Sequence, residues 1–178
     1  ILALQMKSGR LKKQPIFIGG LGRVFTEIYD LQSHRASRQH PNLQLDEELD
    51  LSVLSRDQAA KIKLNKSRLF VMTAGMLTEN TTAYDLAKRM VEQPEHGIFF
   101  VGYADPSTPG GRLKSAHHKE NFHYCNTTGN LAKRCEVRDF DLTAHANRED
   151  LIELVRRVGP RTLILGHGDS QSREWFKK

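Results

Sequence analysis

An α/β fold, with a mostly parallel sheet flanked by helices, is what this 178-residue sequence predicts. Three observations carry that expectation. Short apolar runs, "PIFIGG" (15–20), "RLFVMTAG" (68–75) and "GIFFVGYAD" (97–105), alternate with helical patterns, as parallel strands joined by crossover helices do. Each run passes straight into a turn carrying glycine and small or polar residues. No apolar stretch approaches the roughly 18–20 residues that a membrane-spanning helix requires, so the 38% hydrophobic residues are expected to meet in the core of a soluble protein.

Taken in order, "ILALQMKSGRLKKQP" lacks an initiating Met and the basic-then-apolar order of a signal peptide, and reads as the tail of an amphipathic helix in a fragment of a longer chain. After "PIFIGG", residues Val24, Phe25, Ile28, Tyr29 and Leu31 keep the three-and-four spacing of a half-buried helix. Residues 33–50 hold no sustained period and read as an exposed connection. Ala83, Leu86, Ala87, Met90 and Val91 form a second helical face that Pro94 and Gly97 end. "FHYC" and "CEVRDFDL" read as two strands around a turn, after the break at "PSTPGG" (106–111). Asn147 is placed to cap a helix whose inner face is Leu151, Ile152, Val155 and Val158, stopped by Gly159-Pro160. "TLILG" (162–166) reads as a buried strand, and Asp169 or Ser170 as the cap of a last helix.

Cys125 and Cys135 occur without a secretory signal, which favours reduced thiols and a cytoplasmic location. The excess of 27 Lys and Arg over 21 Asp and Glu, a formal +6, makes a polyanionic partner plausible through counterion release. "KSGRLKK" (7–13) and "SHRASRQH" (33–40) are the densest basic patches, and either alone reads more readily as a solvated loop than as a binding site.

The strand ends in "VMTAGMLTENT", "FFVGYADPSTPGG" and "LILGHGD" point to one sheet edge, where helix N-termini and free backbone N–H groups gather anions. No nucleophile elbow, phosphate-binding Walker loop, C-x-x-C or H-E-x-x-H occurs. His117, His118 and His123 lack a familiar ligand spacing and read as a surface cluster. His145 and His167 each end an apolar segment one strand–helix–strand turn apart, an arrangement that suits a ligand and an acid.

"FDLTAHANREDL" (140–151) and "LILGHGDSQSREWF" (163–176) resemble the late motifs of the metallo-β-lactamase-fold nucleases of the β-CASP group, which includes RNA 3′-end processing endonucleases and RNA exonucleases. "GGLGRVFTEIYD", "VMTAGMLTENT" and "GYADPSTPGGRL" resemble that group's β-CASP segments in the same order. The resemblance implies the later part of a β-CASP domain over residues 1–133. Residues 134–178 would be a returning strand–helix–strand segment of the metallo-β-lactamase domain. It implies a zinc-dependent ribonuclease as parent, with His145 contacting the scissile phosphate or acting as general acid and His167 as a zinc ligand. Thr73, Gly75, Met76, Gly102 and Tyr103 fall in the matching segments as substrate-binding residues.

The implied partners are RNA and the metallo-β-lactamase part of the same protein upstream; a homodimer is left open, and no membrane is implied. Asn147 stands where the group usually has Asp, and "TENTT" (78–82) replaces a more glycine-rich continuation. The His-x-His-x-Asp-His zinc motif is absent from these residues. Two zinc ions are therefore expected in the intact parent and none stably held by this chain, which is expected to be inactive alone. A non-catalytic RNA-binding or scaffold member of the same fold is the competing reading, and an unrelated anion-binding α/β domain a third.

Overall fold

"PIFIGG" becomes the centre of a three-stranded parallel sheet in the computed structural model, which describes residues 1–33, 35, 37–142, 145–166 and 168–177. Residues 1–143 and 144–178 form two compact units. In the first, α1 (Leu2–Lys7) buries Ala3 and Met6 and leads to β1 (Ile16–Gly19). This strand pairs with β2 (Leu51–Val53) on one side and β3 (Leu69–Met72) on the other, aligning Ile16 with Leu51 and Leu69. Met6, Ile16 and Ile18 make a small core packed by Leu11, Leu49 and Leu69. Each aliphatic side chain so buried contributes about 1.5–3 kcal/mol.

Between β1 and β2 lie α2 (Gly22–Leu31) and the short α3 (Leu45–Glu48). The Asp30 carboxylate accepts the Leu45 N–H at 2.8 Å and the Asp46 N–H at 3.1 Å, supplying from α2 the N-terminal cap that α3 lacks in its own Gln44. Leu43 is buried, so the stretch read as an exposed connection in fact carries a helix and a core residue.

Helix α2 departs from the sequence expectation in another way: none of its residues is buried, and Phe25 and Leu31 are 60% and 75% exposed. Its spacing is that of an amphipathic helix, but among the described residues only β1 and α3 pack substantially against it, so its apolar face lies open.

Helix α4 (Arg56–Lys61) starts with a capping box in which Ser55 and Gln58 exchange hydrogen bonds. Helix α5 (Thr82–Met90) buries Ala83, Tyr84, Leu86 and Ala87 and is capped by Thr81. Arg89 reaches from α5 to the carbonyls of Ala59 and Ile62, the latter at 2.6 Å, satisfying acceptors that the end of α4 leaves without an intrahelical partner.

Next come β4 (Gly97–Phe100), α6 (Pro109–Ser115), β5 (Asn121–Cys125), β6 (Gly129–Ala132) and β7 (Glu136–Asp139). Here the sequence reading is corrected. "FHYC" pairs antiparallel with β6, not with "CEVRDFDL", because a tight turn at residues 126–128 brings the chain back at once. The "CEVRD" run instead forms β7, parallel to β4, with Phe99 opposite Arg138. The main core gathers Leu77, Val91, Phe100, Leu113, Phe122 and Tyr124 with neighbours from these elements. Tyr84 and Tyr124 stack at 5.3 Å, and burial pushes the Tyr124 phenol up from its ordinary value. Cys125 and Cys135 are free and buried. The result is a mixed α/β structure; among the described residues its strands lie in three small sheets, two of them parallel and one antiparallel.

The second unit holds α7 (Arg148–Val158) and α8 (Ser170–Phe176). Asn147 caps α7 by accepting the Asp150 N–H at 2.8 Å, and Gly159 closes it with the left-handed φ of +57° that glycine tolerates best. Asp169, rather than Ser170, caps α8. Arg148 lies 4.1 Å over the Trp175 ring, joining the two helices. The "TLILG" run is not a strand, and Ile164 is 87% exposed. A strand needs a neighbour for its backbone groups, and among the described residues none pairs with this one. The expected inner face of α7 is covered only in part: Ile152 and Val155 are half-buried, while Leu151 and Val158 are 40% and 67% exposed.

Candidate functional site

Parallel pairing of β1 and β3 sets Gly19 against Met72, so the turns that follow the two strands emerge side by side. Thr73 joins them. Its hydroxyl oxygen accepts the Leu21 N–H at 3.1 Å and lies 3.5 Å from the Gly19 carbonyl, to which it donates. Gly20 has φ +63°, and a Cβ there would stand 2.5 Å from Thr73 Oγ1. The glycine is needed both for the backbone conformation and for the approach of the threonine.

The loop after β3 folds back through the Leu77 N–H to the Ala74 carbonyl (2.9 Å), burying Leu77 in the core. It meets the segment after β4 at the start of α6, where the Gly110 N–H donates to the Met76 carbonyl at 2.9 Å. A Cβ at Gly110 would lie 2.6 Å from the Gly75 carbonyl oxygen, so this contact requires glycine. Thr108 caps α6 by accepting the Gly111 N–H at 3.2 Å. Nearby, the Asp105 carboxylate accepts both the N–H and the hydroxyl of Ser107, and these bonds hold its carboxyl below the ordinary range.

Of the five substrate-binding expectations, the structure thus joins the Thr73–Gly75–Met76 loop to the segment containing Gly102 and Tyr103. The space where side chains of Gly75 and Gly102 would stand is open, Met76 is 40% exposed and Tyr103 is 72% exposed. Thr73 differs from the other four because its hydroxyl is occupied in bracing the β1 and β3 turns. Sequence reading passed over Lys114, whose ammonium group pairs with Asp139 at 2.7 Å and lies 3.5 Å from the Gly102 carbonyl. The signal was available: Lys114 follows Gly110 by four residues, one helical turn along α6.

His145 lies exposed in the second unit, two residues before the α7 cap. His167 falls outside the described residues, and with it the expected meeting of the two imidazoles. His123 has its ring nitrogens beside Asn126 and Asn130, at 3.1 and 3.4 Å. Among the described residues no three His, Cys, Asp or Glu side chains come together to hold a metal ion, so those residues do not assemble a zinc site by themselves. Among them, too, no helix is long and apolar enough to cross a membrane.

The three strand ends expected to share one sheet edge do not: β3 belongs to the three-stranded sheet, β4 pairs with β7 in a separate one, and residues 162–166 form no strand. The three-stranded parallel sheet with its glycine turns after β1 and β3, and the capped helix after the Ala-His-Ala-Asn segment, define one class of protein. Residues 1–113 match the Beta-Casp domain, and the chain belongs to that family. Residues 130–178 match the Zn-dependent metallo-hydrolase RNA specificity domain. The resemblance read from the sequence motifs is therefore upheld.

Among individual proteins, the chain is 25% identical over 155 residues to the "RNase aCSPSF2" of Saccharolobus solfataricus, covering 86% of this chain and 30% of that protein. It is 24% identical over 157 residues to the "Probable RNase MJ4" of Methanocaldococcus jannaschii, covering 87% and 35%. A "Transcription termination factor FttA" of Methanothermobacter thermautotrophicus is 24% identical over 123 residues, covering 64% and 18%. The chain thus spans 18–35% of the length of these relatives.

Proposed function

We propose that this chain is the later part of the β-CASP domain and the returning metallo-β-lactamase segment of a zinc-dependent ribonuclease that hydrolyses RNA phosphodiester bonds in RNA processing or decay. The observation that carries the reading is the order of the two family matches, Beta-Casp and then RNA specificity domain, along one basic chain. The segment boundary is assigned to residues 133 and 134. The loops holding Gly75, Met76, Gly102 and Tyr103 are assigned to the RNA-facing edge, where exposed backbone and an aromatic ring can meet phosphate and base. Thr73 acts there by holding the turn.

His145 is assigned the proton-donating or phosphate-contacting role, and His167 that of a metal ligand. Zinc, two ions in the parent, would polarise the phosphodiester and lower the pKa of attacking water; most of its ligands must come from outside these residues. The chain alone is accordingly inactive and holds no zinc stably. Its partners are RNA and the remaining metallo-β-lactamase part, with self-association open to it.

The test is His145→Ala in the intact protein. A positioned acid or base is typically worth about 10²–10⁴ in rate, so the single-turnover rate is expected to fall by that order while zinc content is unchanged. Loss of zinc would exchange the roles of His145 and His167, and an unchanged rate would remove His145 from the chemistry.

A further inference from the structure

Parallel register sets Phe100 against Asp139 at the ends of β4 and β7, and side chains aligned in this way share one face of the sheet. Phe100 is buried there, and Lys114 of α6 lies across it with its ammonium group 5.6 Å from the ring centroid. From that position the ammonium pairs with the Asp139 carboxylate at 2.7 Å and stands 3.5 Å from the Gly102 carbonyl oxygen. Only 22% of the Lys114 side chain is exposed, against 57% of that of Asp139. One cation, held between an aromatic ring and a carboxylate, therefore draws the carbonyl at the exit of β4.

The direction of that carbonyl decides the direction of the next amide. The Gly102–Tyr103 peptide is trans, so its C=O and N–H point opposite ways. With the carbonyl turned toward Lys114, the Tyr103 N–H points away from the ammonium. Among the described residues this N–H has no hydrogen-bond partner, and Tyr103 is 72% exposed. Gly102 has no side chain to fix its own peptide plane, and the space where a Cβ would stand is open, so the orientation comes from outside the loop.

We propose that Lys114 is a positioning residue: paired with Asp139, it turns the Gly102–Tyr103 peptide so that the Tyr103 N–H is presented to a phosphate oxygen of single-stranded RNA. The inference rests on the assignment of this loop to RNA. Lys114 itself stays on Asp139 and does not neutralise a phosphate. A backbone N–H contacts phosphate without reading sequence, so the contribution is to affinity and register, not to base preference.

The experiment titrates a labelled oligouridylate into the full 178-residue chain at low salt, followed by fluorescence anisotropy and by amide magnetic resonance spectra. The Tyr103 amide resonance is expected to move as RNA binds; a resonance that stays still overturns the proposal. Lys114→Met should weaken binding about tenfold, the order of one hydrogen bond to a charged group, and abolish that movement. The urea midpoint should change little, because a partly exposed ion pair adds little stability. Lys114→Arg, which can keep the pair with Asp139, should restore most of the affinity. The slope of log K against log salt should be the same in Lys114→Met as in the unaltered chain. A slope shallower by about 0.7 would make Lys114 itself a phosphate ligand and overturn the proposal. Asp139→Asn gives an independent reading whether or not Lys114→Met folds: release of the lysine should weaken binding even though a negative charge has been removed, and stronger binding would overturn the proposal. If the unaltered chain binds no RNA at low salt, the assignment of the loop to RNA falls and the inference with it. If the chain binds and Lys114→Met binds equally well, only the inference falls.

Discussion

The backbone N–H of Gly110 donates to the carbonyl of Met76 at 2.9 Å, with the Gly75 carbonyl oxygen 2.6 Å from where a Cβ would stand. One hydrogen bond thereby fixes the loop after β3 against the first turn of α6, and with it two of the segments assigned to RNA. The obstacle to a side chain is backbone, which cannot rotate aside as a side chain would.

Gly110→Ala is therefore expected to destabilise the chain by about 1–3 kcal/mol, the usual cost of overpacking, seen as a lower midpoint in urea unfolding. An unchanged midpoint would mean that the two loops separate readily and do not form one surface.

The Asp169 carboxylate caps α8 through the Ser172 N–H at 2.6 Å, and hydrogen bonding to the ionised form lowers its pKa. A depressed folded-state value means that its stabilisation is present above the unfolded value, about 3.9 for Asp, and is lost as pH falls through the folded value. Nuclear magnetic resonance titration should show the Asp169 carboxyl protonating below the unfolded range, with α8 fraying in step. In Asp169→Asn that acid-induced fraying should disappear, since an amide cap does not titrate.

The isolated chain is expected to carry no stoichiometric zinc after dialysis, because the described residues bring no three metal-binding side chains together and a stable site requires about four ligands. Elemental analysis decides it. One tightly held zinc per chain would redirect attention to His117, His118 and His123.

Single-stranded RNA should bind the chain weakly and without sequence preference. Each phosphate neutralised contributes a slope of about −0.7 in log K against log salt, so titration of a labelled oligonucleotide at several salt concentrations should give a falling line. Binding absent at low salt, or indifferent to salt, would make the basic residues ordinary solvated surface.

What could be read in advance depended on whether the determining interaction was local. The Asn147 cap, the left-handed Gly159 and the buried face of α5 are written in neighbouring residues, and each is present in the structure. Ser55 and Gln58 form an equally local capping box that announced α4 and was passed over. Strand pairing is different. That β7 would join β4 instead of closing on β5 depends on a partner some 40 residues upstream, which periodicity does not encode. Exposure of α2 and of Ile164 is also beyond a pattern of spacings: a spacing tells which side of an element is apolar, not what lies against it. At the candidate site, glycine-rich strand ends drew attention to these loops, and only the structure shows that the Thr73 hydroxyl is engaged by the turn before α2.

Asp30 holds α3 by its first backbone amides, and that tie acts as a clasp at the base of the intervening excursion. A four-residue helix cannot sustain itself by its own hydrogen bonds, so its place is set by the clasp and not by the path leading to it. Once the ends of a loop are held, doubling its length costs only about 0.6 kcal/mol in closure entropy. Residues 39–42 are consequently a place where the chain can lengthen or shorten over evolution while the sheet and the glycine loops keep their positions.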